Sequence, residues 1–157
     1  MKGIVSTIER LAREGISEIR GFMRSLEATD ITWDSLSADL RFFGKDLIES
    51  NGMALRFRSD IQNPVDAPGS LLFLNITRIY KEFLTNVVRH SKAGNVQVDL
   101  TVAPEKMTLV MQDDGIGLEQ SVPGNGMAGM KKRAMEVNGR ISLTTRNGAC
   151  LNLEIPL

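Results

Sequence analysis

Three polar residues, Glu82, Asn86 and His90, are spaced four apart in a segment whose other residues are mostly apolar. Residues four apart in an α-helix lie one above the other, so this spacing predicts that the three side chains share one helix face. Asn86 offers a neutral amide oxygen, which suits a hard cation such as Mg²⁺. Glu82, one turn earlier, can orient or deprotonate a water or an incoming nucleophile near that metal. The segment therefore predicts a ligand-binding face on an otherwise buried helix.

The roles of the histidine and its neighbour stay open at this point. His90 is the only histidine in the chain, which excludes a histidine-rich metal site. It lies near the end of the predicted helix, where it can cap carbonyl groups or, together with Arg89, reach a phosphate. A plain surface role for Glu82 is the weaker interpretation, because most residues of its helix are apolar.

A second polar group, Asp113-Asp114-Gly115-Ile116-Gly117, directly follows an alternating strand pattern. It opens a stretch with five glycines between residues 113 and 129. Glycines allow a backbone to pass close to a ligand, where any side chain would collide. A simple surface turn is the alternative, and it would be favoured if no partner motif existed.

The glycine-rich segment also spells a dinucleotide-binding pattern, in Gly124-Asn125-Gly126-Met127-Ala128-Gly129. That pattern should follow a strand at once and be answered by an acidic residue about 20 positions later. Here Ser121-Val122-Pro123 precedes it and Thr144-Thr145 stands near the expected acid, so the Rossmann interpretation fails. Flexible glycines leading into the start of a helix, whose free amides attract phosphate, fit better. Lys131, Lys132 and Arg133 add positive charge, although such clusters are often solvated helix faces.

The composition limits the classes of protein that remain. A chain of 157 residues with 42% hydrophobic residues can build a core, and 19 basic residues balance 19 acidic ones, so nucleic acid is not expected as a partner. The single cysteine, Cys150, can form no internal disulfide and suits a reducing cytoplasm. No apolar run reaches the roughly 20 residues of a membrane span, so we expect a soluble, cytoplasmic chain. Whether the full-length protein is anchored to a membrane stays open.

Periodicity predicts alternating helices and strands. Apolar residues from Ile4 to Leu26 recur at spacings of three and four, which predicts an amphipathic N-terminal helix that packs in a bundle, in a homodimer or simply on its own domain. Further helices are predicted at residues 33–50, at 71–91 with Ser70 as a candidate cap, and at 130–137. Strands are predicted at 53–58, 96–102, 107–112, 140–145 and 149–155, with Asn147-Gly148 as a tight turn. This order indicates an α+β two-layer sandwich with a mixed sheet.

Taken together, the polar face, the Asp-x-Gly-x-Gly group and the glycine-rich loop resemble the ATP-binding domain of sensor histidine kinases. The resemblance implies the Bergerat-type fold shared with gyrase, Hsp90 and MutL. Asn-x-x-Arg-His-Ser paired with Gly-x-Gly-Met-x-Gly-Met-x-x-Arg is similar to the nitrate-sensor and DesK-type subfamily. The resemblance also implies that residues 1–28 are part of the second helix of a dimerisation hairpin and that residues 29–157 are the ATP-binding catalytic domain.

The resemblance implies a role for each motif residue. Asp113 would accept a hydrogen bond from the adenine amino group, Glu82 would be the catalytic residue and Asn86 the Mg²⁺ ligand. A lid would run from Leu118 to about Pro123. The implied ATP-binding set is Asn86, Arg89, His90, Asp113, Gly115, Gly117, Leu118, Gly124, Gly126, Met127, Gly129 and Met130.

Three residues depart from the resembled pattern: Asp114 replaces the usual Asn, Asn125 replaces a frequent His, and Ala149 stands where the last strand usually has a Thr that supports Asp113 through water. The phosphoacceptor motif containing His-Asp is missing from this chain, which excludes autophosphorylation within it.

We therefore expect the Mg·ATP-binding catalytic part of a two-component sensor kinase, cut from a longer chain. Its partners would be the phosphoacceptor helix of the same full-length protein, a response regulator and a second copy of the chain. The alternatives are a non-catalytic nucleotide-responsive regulatory module and a serine kinase of the anti-sigma-factor type.

Overall fold

A five-stranded mixed sheet forms one layer of the protein, and helices cover one of its faces. The computed structural model describes residues 31–62, 66–116, 126–145 and 147–157, together with Val5, Ile8, Ala12, Gly15 and Ile16. In chain order the elements are α1 (Trp33–Glu49), β1 (Ala54–Ile61), α2 (Ser70–Asn86), a π-helical turn (Val87–Ser91), β2 (Asn95–Ala103), β3 (Lys106–Asp113), α3 (Gly126–Met135), β4 (Arg140–Thr144) and β5 (Cys150–Pro156). The predicted α+β architecture is confirmed.

The strand order in the sheet is β1-β2-β3-β5-β4, and only β1 and β2 run parallel. Helix α2 and the π-helical turn connect these two parallel strands, as a crossover connection requires. Strand β3 pairs antiparallel with both β2 and β5, and therefore lies at the centre of the sheet. Because β3 ends at Asp113, the predicted adenine-binding residue is held by the middle of the sheet rather than by an edge.

Alternation along the strands separates a buried face from a polar face. Val96, Val98, Leu100 and Val102 of β2 are each at most 1% exposed, and the alternating residues Asn95, Gln97 and Thr101 are exposed to solvent. Burying one aliphatic side chain stabilises the fold by about 1.5–3 kcal/mol, so register is fixed strongly here. The helices supply the other half of the core through Leu36, Leu40, Ile48, Ile76, Ile79, Tyr80, Phe83, Leu84, Met130 and Ala134.

Helix α1 begins and ends where the sequence predicts. Thr32 and Ser35 form a capping box, in which the backbone N–H of each residue donates to the other's hydroxyl at 3.0 Å. The helix ends before Asn51-Gly52, and Gly52 has a φ of +77°. Trp33 anchors the first turn, because its indole N–H donates to the carbonyl of Asp66 at 2.8 Å.

Helix α2 differs from its prediction at both ends. Gly69 holds the N-cap position and Ser70 is the first helical residue, so Ser70 is not the cap. The α-helix predicted to reach residue 91 ends at Asn86 and continues as a π-helical turn over Val87–Ser91. A π turn is wider than an α turn, so the four-residue spacing that aligns Glu82 with Asn86 does not extend to His90.

Helix α3 starts one turn earlier than predicted, at Gly126 instead of Met130, and ends at Met135. The glycines of this segment have low helix propensity, which is why the sequence predicted a loop. Tertiary contacts compensate, since Met130 and Ala134 are each 1% exposed in the core. Asn75 of α2, itself 1% exposed, adds a polar contact by donating from its amide to Glu136 Oε2 at 3.2 Å.

The five described N-terminal residues are all helical, as the apolar periodicity predicted. Val5, Ile8 and Ile16 are 55%, 59% and 53% exposed. In the described parts of the chain, no helix has the length and apolar character needed to cross a membrane.

Candidate functional site

Asp113, the last residue of β3, carries a carboxylate that is held by the backbone on both oxygens. The residue is 1% exposed. Its Oδ1 accepts from the N–H of Gly115 at 2.7 Å, and its Oδ2 accepts from the N–H of Ala149 at 3.1 Å. A buried charge is tolerated only when hydrogen bonds replace its hydration. This carboxylate is therefore fixed in direction, and the support it receives from residue 149 comes from the backbone and not from the alanine side chain.

Two glycines allow the backbone to close around Asp113. A Cβ on Gly115 would collide with the carbonyl oxygen of Ser91 and would lie 2.9 Å from Asp113 Oδ1. Gly148 has a φ of +99°, and a Cβ there would collide with the backbone oxygen of Asp113. Both positions require glycine for steric reasons, and Gly148 requires it for its backbone conformation as well.

Glu82 and Asn86 lie together against the start of α3. A Cβ built on Gly126, the first residue of α3, would lie 2.5 Å from Glu82 Oε1 and 3.4 Å from Asn86 Nδ2. Both polar side chains are half-buried. The free backbone amides of a helix N-terminus attract anions. The structure thus brings a carboxylate, an amide and the positive end of a helix to one place.

The end of the π-helical turn and the residues after it form hydrogen bonds with the segment that follows Asp113. The N–H of Ile116 donates to the carbonyl of Ser91 at 2.8 Å. The carboxylate of Asp114 accepts at Oδ1 from the N–H groups of Gly94 and Asn95, each at 2.8 Å. It also accepts at Oδ2 from the Asn95 amide at 2.7 Å. The hydrogen bond from the Asn95 side chain, followed by those from the backbone, lowers the pKa of Asp114.

The remaining predicted residues fall into three groups. Arg89 and His90 are exposed in the π-helical turn, next to Asn86 along the chain. In α3, Met130 is buried and Met127 is half-buried. Gly129 faces the guanidinium of Arg133, whose Nη1 would lie 3.1 Å from a Cβ there. Gly117, Leu118 and Gly124, and the lid predicted from Leu118 to about Pro123, lie outside the described residues.

Ser91, Asn95 and the backbone of Ala149 also contribute to the site, although their residue types and spacing did not predict it. In the sequence, Ser91 stood out only as the last residue of the Asn-x-x-Arg-His-Ser motif. Asp114 stood out only because it replaces the usual Asn. Their roles depend on contacts between residues that are distant in the sequence, for which periodicity gives no signal. Cys150 is a free, half-buried cysteine next to Ala149.

A cation at this place would depend on a ligand as well as on the protein. Among the described residues, no group of three or more His, Cys, Asp or Glu side chains could hold a metal. Mg²⁺ is commonly held by one or two protein oxygens, with phosphate and water filling its other positions. Glu82 and Asn86, side by side at a helix N-terminus, fit that donor set.

A cleft of about 540 Å³ opens on the outer face of the sheet. Its lining includes Arg56, Gln97 and Gln112, which alternate outward from β1, β2 and β3. Asp113 and Asp114 also line this cleft, so it adjoins the Asp113 end of the site, whereas Glu82 and Asn86 do not line it.

Comparison with known proteins identifies relatives of this chain. The family described as "Histidine kinase-, DNA gyrase B-, and HSP90-like ATPase" matches residues 73–157. The sensor histidine kinase LnrJ of Bacillus subtilis is 31% identical over 155 residues, which are 98% of this chain and 38% of LnrJ. The sensor histidine kinase DesK of the same organism is 25% identical over 158 residues, covering 97% of this chain and 40% of DesK.

A solved structure supports the fold. The blue-light activated histidine kinase of Erythrobacter litoralis EL346 superposes with a TM-score of 0.73 at 21% sequence identity, over 98% of this chain and 57% of that chain. The present chain spans about two fifths of the length of LnrJ and DesK. The matched region contains Glu82, Asn86, Asp113 and all of α3. The chain therefore belongs to the family of histidine kinase-, DNA gyrase B- and HSP90-like ATPases.

Proposed function

We propose that this chain is the Mg·ATP-binding catalytic domain of a two-component sensor histidine kinase. It would donate the γ-phosphoryl group of ATP to a histidine outside residues 1–157. The observation that carries this proposal is the buried Asp113 carboxylate, held by two backbone amides and linked through Ser91 to the segment that contains Asn86. Family membership and the sensor histidine kinases among the relatives support it.

The base would bind at the Asp113 end of the site. Both carboxylate oxygens already accept one backbone hydrogen bond, and each oxygen can accept a second. The amino group of adenine is a donor that matches this acceptor, whereas guanine presents an oxygen at the same position. Leaving the carboxylate opposite that oxygen would cost about 1–3 kcal/mol, so the site would prefer ATP to GTP.

The phosphates would bind at the other end, where Glu82 and Asn86 meet the start of α3. Asn86 would supply a metal ligand, and bound Mg²⁺ would neutralise charge on the β- and γ-phosphates. Gly126 and Met127 would place the free amides of α3 beside them, and Gly129 and Met130 follow in the same part of the helix. Leu118 would belong to the lid, with Gly117 and Gly124 flanking it. Arg89 and His90 are exposed next to Asn86 and would contact phosphate from the solvent side.

Glu82 would act on the incoming nucleophile. In the transfer, the bond from the γ-phosphorus to the β,γ-bridging oxygen breaks and a bond from the imidazole nitrogen to that phosphorus forms. The Glu82 carboxylate would accept the hydrogen bond, and finally the proton, of the attacking imidazole. Such transfer depends mainly on positioning and charge stabilisation, to which a carboxylate packed beside a helix N-terminus would contribute.

The N-terminal helix would supply the contact with a second protein segment. Val5 and Ile8 expose apolar surface at the three-residue spacing of a coiled-coil seam, and the exposed Ile16 widens this apolar stripe. We assign residues 1–28 to part of a dimerisation hairpin and residues 29–157 to the catalytic domain. The partners would be a second copy of the chain, the phosphoacceptor helix of the full-length protein and a response regulator, and the domain would work in the cytoplasm.

Phosphotransfer to a separate substrate tests this function. The chain is mixed with a polypeptide that carries a phosphoacceptor-histidine helix and with ATP labelled at the γ-phosphate. We expect a labelled histidine, and we expect Asn86→Asp to abolish the label, while Asn138→Asp in an exposed turn leaves it unchanged. Transfer undiminished by Asn86→Asp would contradict the metal role. Absence of transfer by the unmodified chain would contradict the kinase function, and label on a protein serine would favour a serine kinase instead.

A further inference from the structure

Ser91 is a fully buried polar residue whose hydroxyl joins the π-helical turn to the loop that follows it. It is 0% exposed. Its hydroxyl donates to the carbonyl of Val87 at 2.8 Å and accepts from the N–H of Ala93 at 3.1 Å. Val87 directly follows Asn86 in the chain. The hydroxyl thus closes a turn that begins at the metal-binding end of the proposed site.

The backbone of Ser91 contacts the other end of the site. Its carbonyl accepts from the N–H of Ile116 at 2.8 Å, and Gly115 lies so close that a Cβ would collide with the same carbonyl. Gly115 in turn donates to the carboxylate of Asp113 at 2.7 Å. A continuous path of short contacts therefore runs from Asn86 through Ser91 to Asp113.

Asp114 holds the same two segments together on the exposed side. Besides the three hydrogen bonds that its carboxylate accepts from Gly94 and Asn95, its own N–H donates to the carbonyl of Asn95 at 3.2 Å. We define the junction as residues 91–95 with residues 113–116. On one side it is closed by the backbone carbonyl of Ser91, a residue whose own segment is held by its buried hydroxyl, and on the other by the exposed carboxylate of Asp114.

We propose that Ser91 and Asp114 are positioning residues that fix the distance between the adenine-binding end and the metal-binding end of the site. This inference rests on the proposed function. ATP contacts both ends at once, and a ligand held at two points gains affinity only when the spacing between them is maintained. Loosening the junction should weaken the two-ended ligand and leave a one-ended ligand almost unaffected. π-Helical turns are frequent at functional sites, which agrees with this role.

Binding of two ligands to the 157-residue chain separates positioning from general stability. A non-hydrolysable ATP analogue with Mg²⁺ contacts both ends and is measured by calorimetry, whereas adenosine contacts one end and is measured by NMR titration. We expect Ser91→Ala and Asp114→Ala to weaken the Mg²⁺-bound analogue at least fivefold and adenosine less than twofold. Asp114→Asn keeps an acceptor oxygen for Gly94 and Asn95 and should restore most of the affinity. Ser142→Ala, on the exposed face of β4, is the matched control.

The outcomes are distinct. Equal loss of affinity for both ligands, or no loss for either, would overturn the positioning role. If the Ser91→Ala variant does not fold, the Asp114→Ala variant alone tests the positioning role. The Asp114 side chain is exposed, so its removal leaves the core intact. Failure of the unmodified chain to bind the analogue would contradict the proposed function and this inference together, whereas binding that both alanine variants leave unchanged would contradict the inference alone.

Discussion

Gly126, the first residue of α3, lies against the carboxylate of Glu82, with no room for a side chain between them. The same position faces the amide of Asn86. A helix start, a carboxylate and an amide therefore meet at one point, although they come from segments about 40 residues apart. This contact is the basis for placing the phosphates of the nucleotide between α2 and α3.

The first prediction concerns that contact. Gly126→Ala should lower the rate of phosphotransfer by about 10- to 100-fold, because its Cβ would displace the Glu82 carboxylate, and small misplacements in a site cost that much. Transfer kinetics with the separate phosphoacceptor polypeptide measure the effect. Gly69→Ala, at the N-cap of α2, is the matched control, since its Cβ would meet nothing within 4 Å. Equal rates for Gly126→Ala and the unmodified chain would contradict the placement.

The second prediction concerns the adenine-binding end. Asp113→Asn should weaken ATP binding by roughly 10- to 100-fold, equivalent to about 1.4–2.7 kcal/mol, because an amide NH₂ would face a donor on the base or on the backbone. Calorimetry with ATP and GTP analogues measures the loss and the change in preference. Asp60→Asn, exposed on β1, should bind like the unmodified chain. Retained ATP affinity and retained preference over GTP would count against Asp113 as the base-binding residue.

The third prediction is a pH dependence of stability. The pKa of Asp114 is lowered, first by the Asn95 side chain and then by backbone hydrogen bonds. A lowered carboxyl pKa stabilises the fold at pH values above its ordinary value of 3.8. That contribution is lost as the pH falls through the lowered value.

Unfolding by urea at pH 7 and at successive steps below pH 4 measures this dependence. The stability difference between the unmodified chain and Asp114→Asn should be constant near neutral pH and should shrink below pH 4. A difference that stays constant throughout the acid range would show that the charged carboxylate does not stabilise the junction.

The fourth prediction concerns the core. The hydroxyl of Tyr80 is buried and has no hydrogen-bond partner among the described residues, and its burial raises the pKa of the group. Tyr80→Phe should therefore raise the free energy of unfolding by about 1 kcal/mol, since it removes an unsatisfied polar group. A Cβ on Gly44 would collide with this hydroxyl, so Gly44→Ala should destabilise the unmodified chain more than the Tyr80→Phe variant. Urea unfolding of the four chains tests both effects, and a less stable Tyr80→Phe chain would show that the hydroxyl has a partner.

Strand alternation and turn residues predicted much of this fold. The antiparallel pair β2 and β3, the end of α1 before Asn51-Gly52 and the connection of β4 to β5 through Asn147-Gly148 agree with the structure. These features depend on residues that are close in the sequence. The start of α3 at Gly126 did not follow from propensity, because the packing of Met130 and Ala134 outweighs the cost of its glycines.

The site was predictable only in part. The four-residue spacing of Glu82 and Asn86 correctly predicted that they share a helix face. The alternating strand pattern before Asp113 correctly predicted that this residue stands at the end of a strand. The π-helical turn that separates His90 from this face has no periodic signal in the sequence. The contacts of Ser91 with Ile116 and of Asp114 with Gly94 join distant segments, and a single sequence does not encode such pairs in any local pattern.

The central claim is that this chain binds ATP with magnesium between Asp113 and Asn86. The most direct measurement is calorimetric titration of the 157-residue chain with a non-hydrolysable ATP analogue, with and without Mg²⁺. We predict saturable binding that Mg²⁺ strengthens, that Asp113→Asn weakens in both conditions, and that Asn86→Ala, which removes the oxygen ligand, weakens only when Mg²⁺ is present. No binding at millimolar analogue with Mg²⁺, or binding that both variants leave unchanged, would contradict the claim.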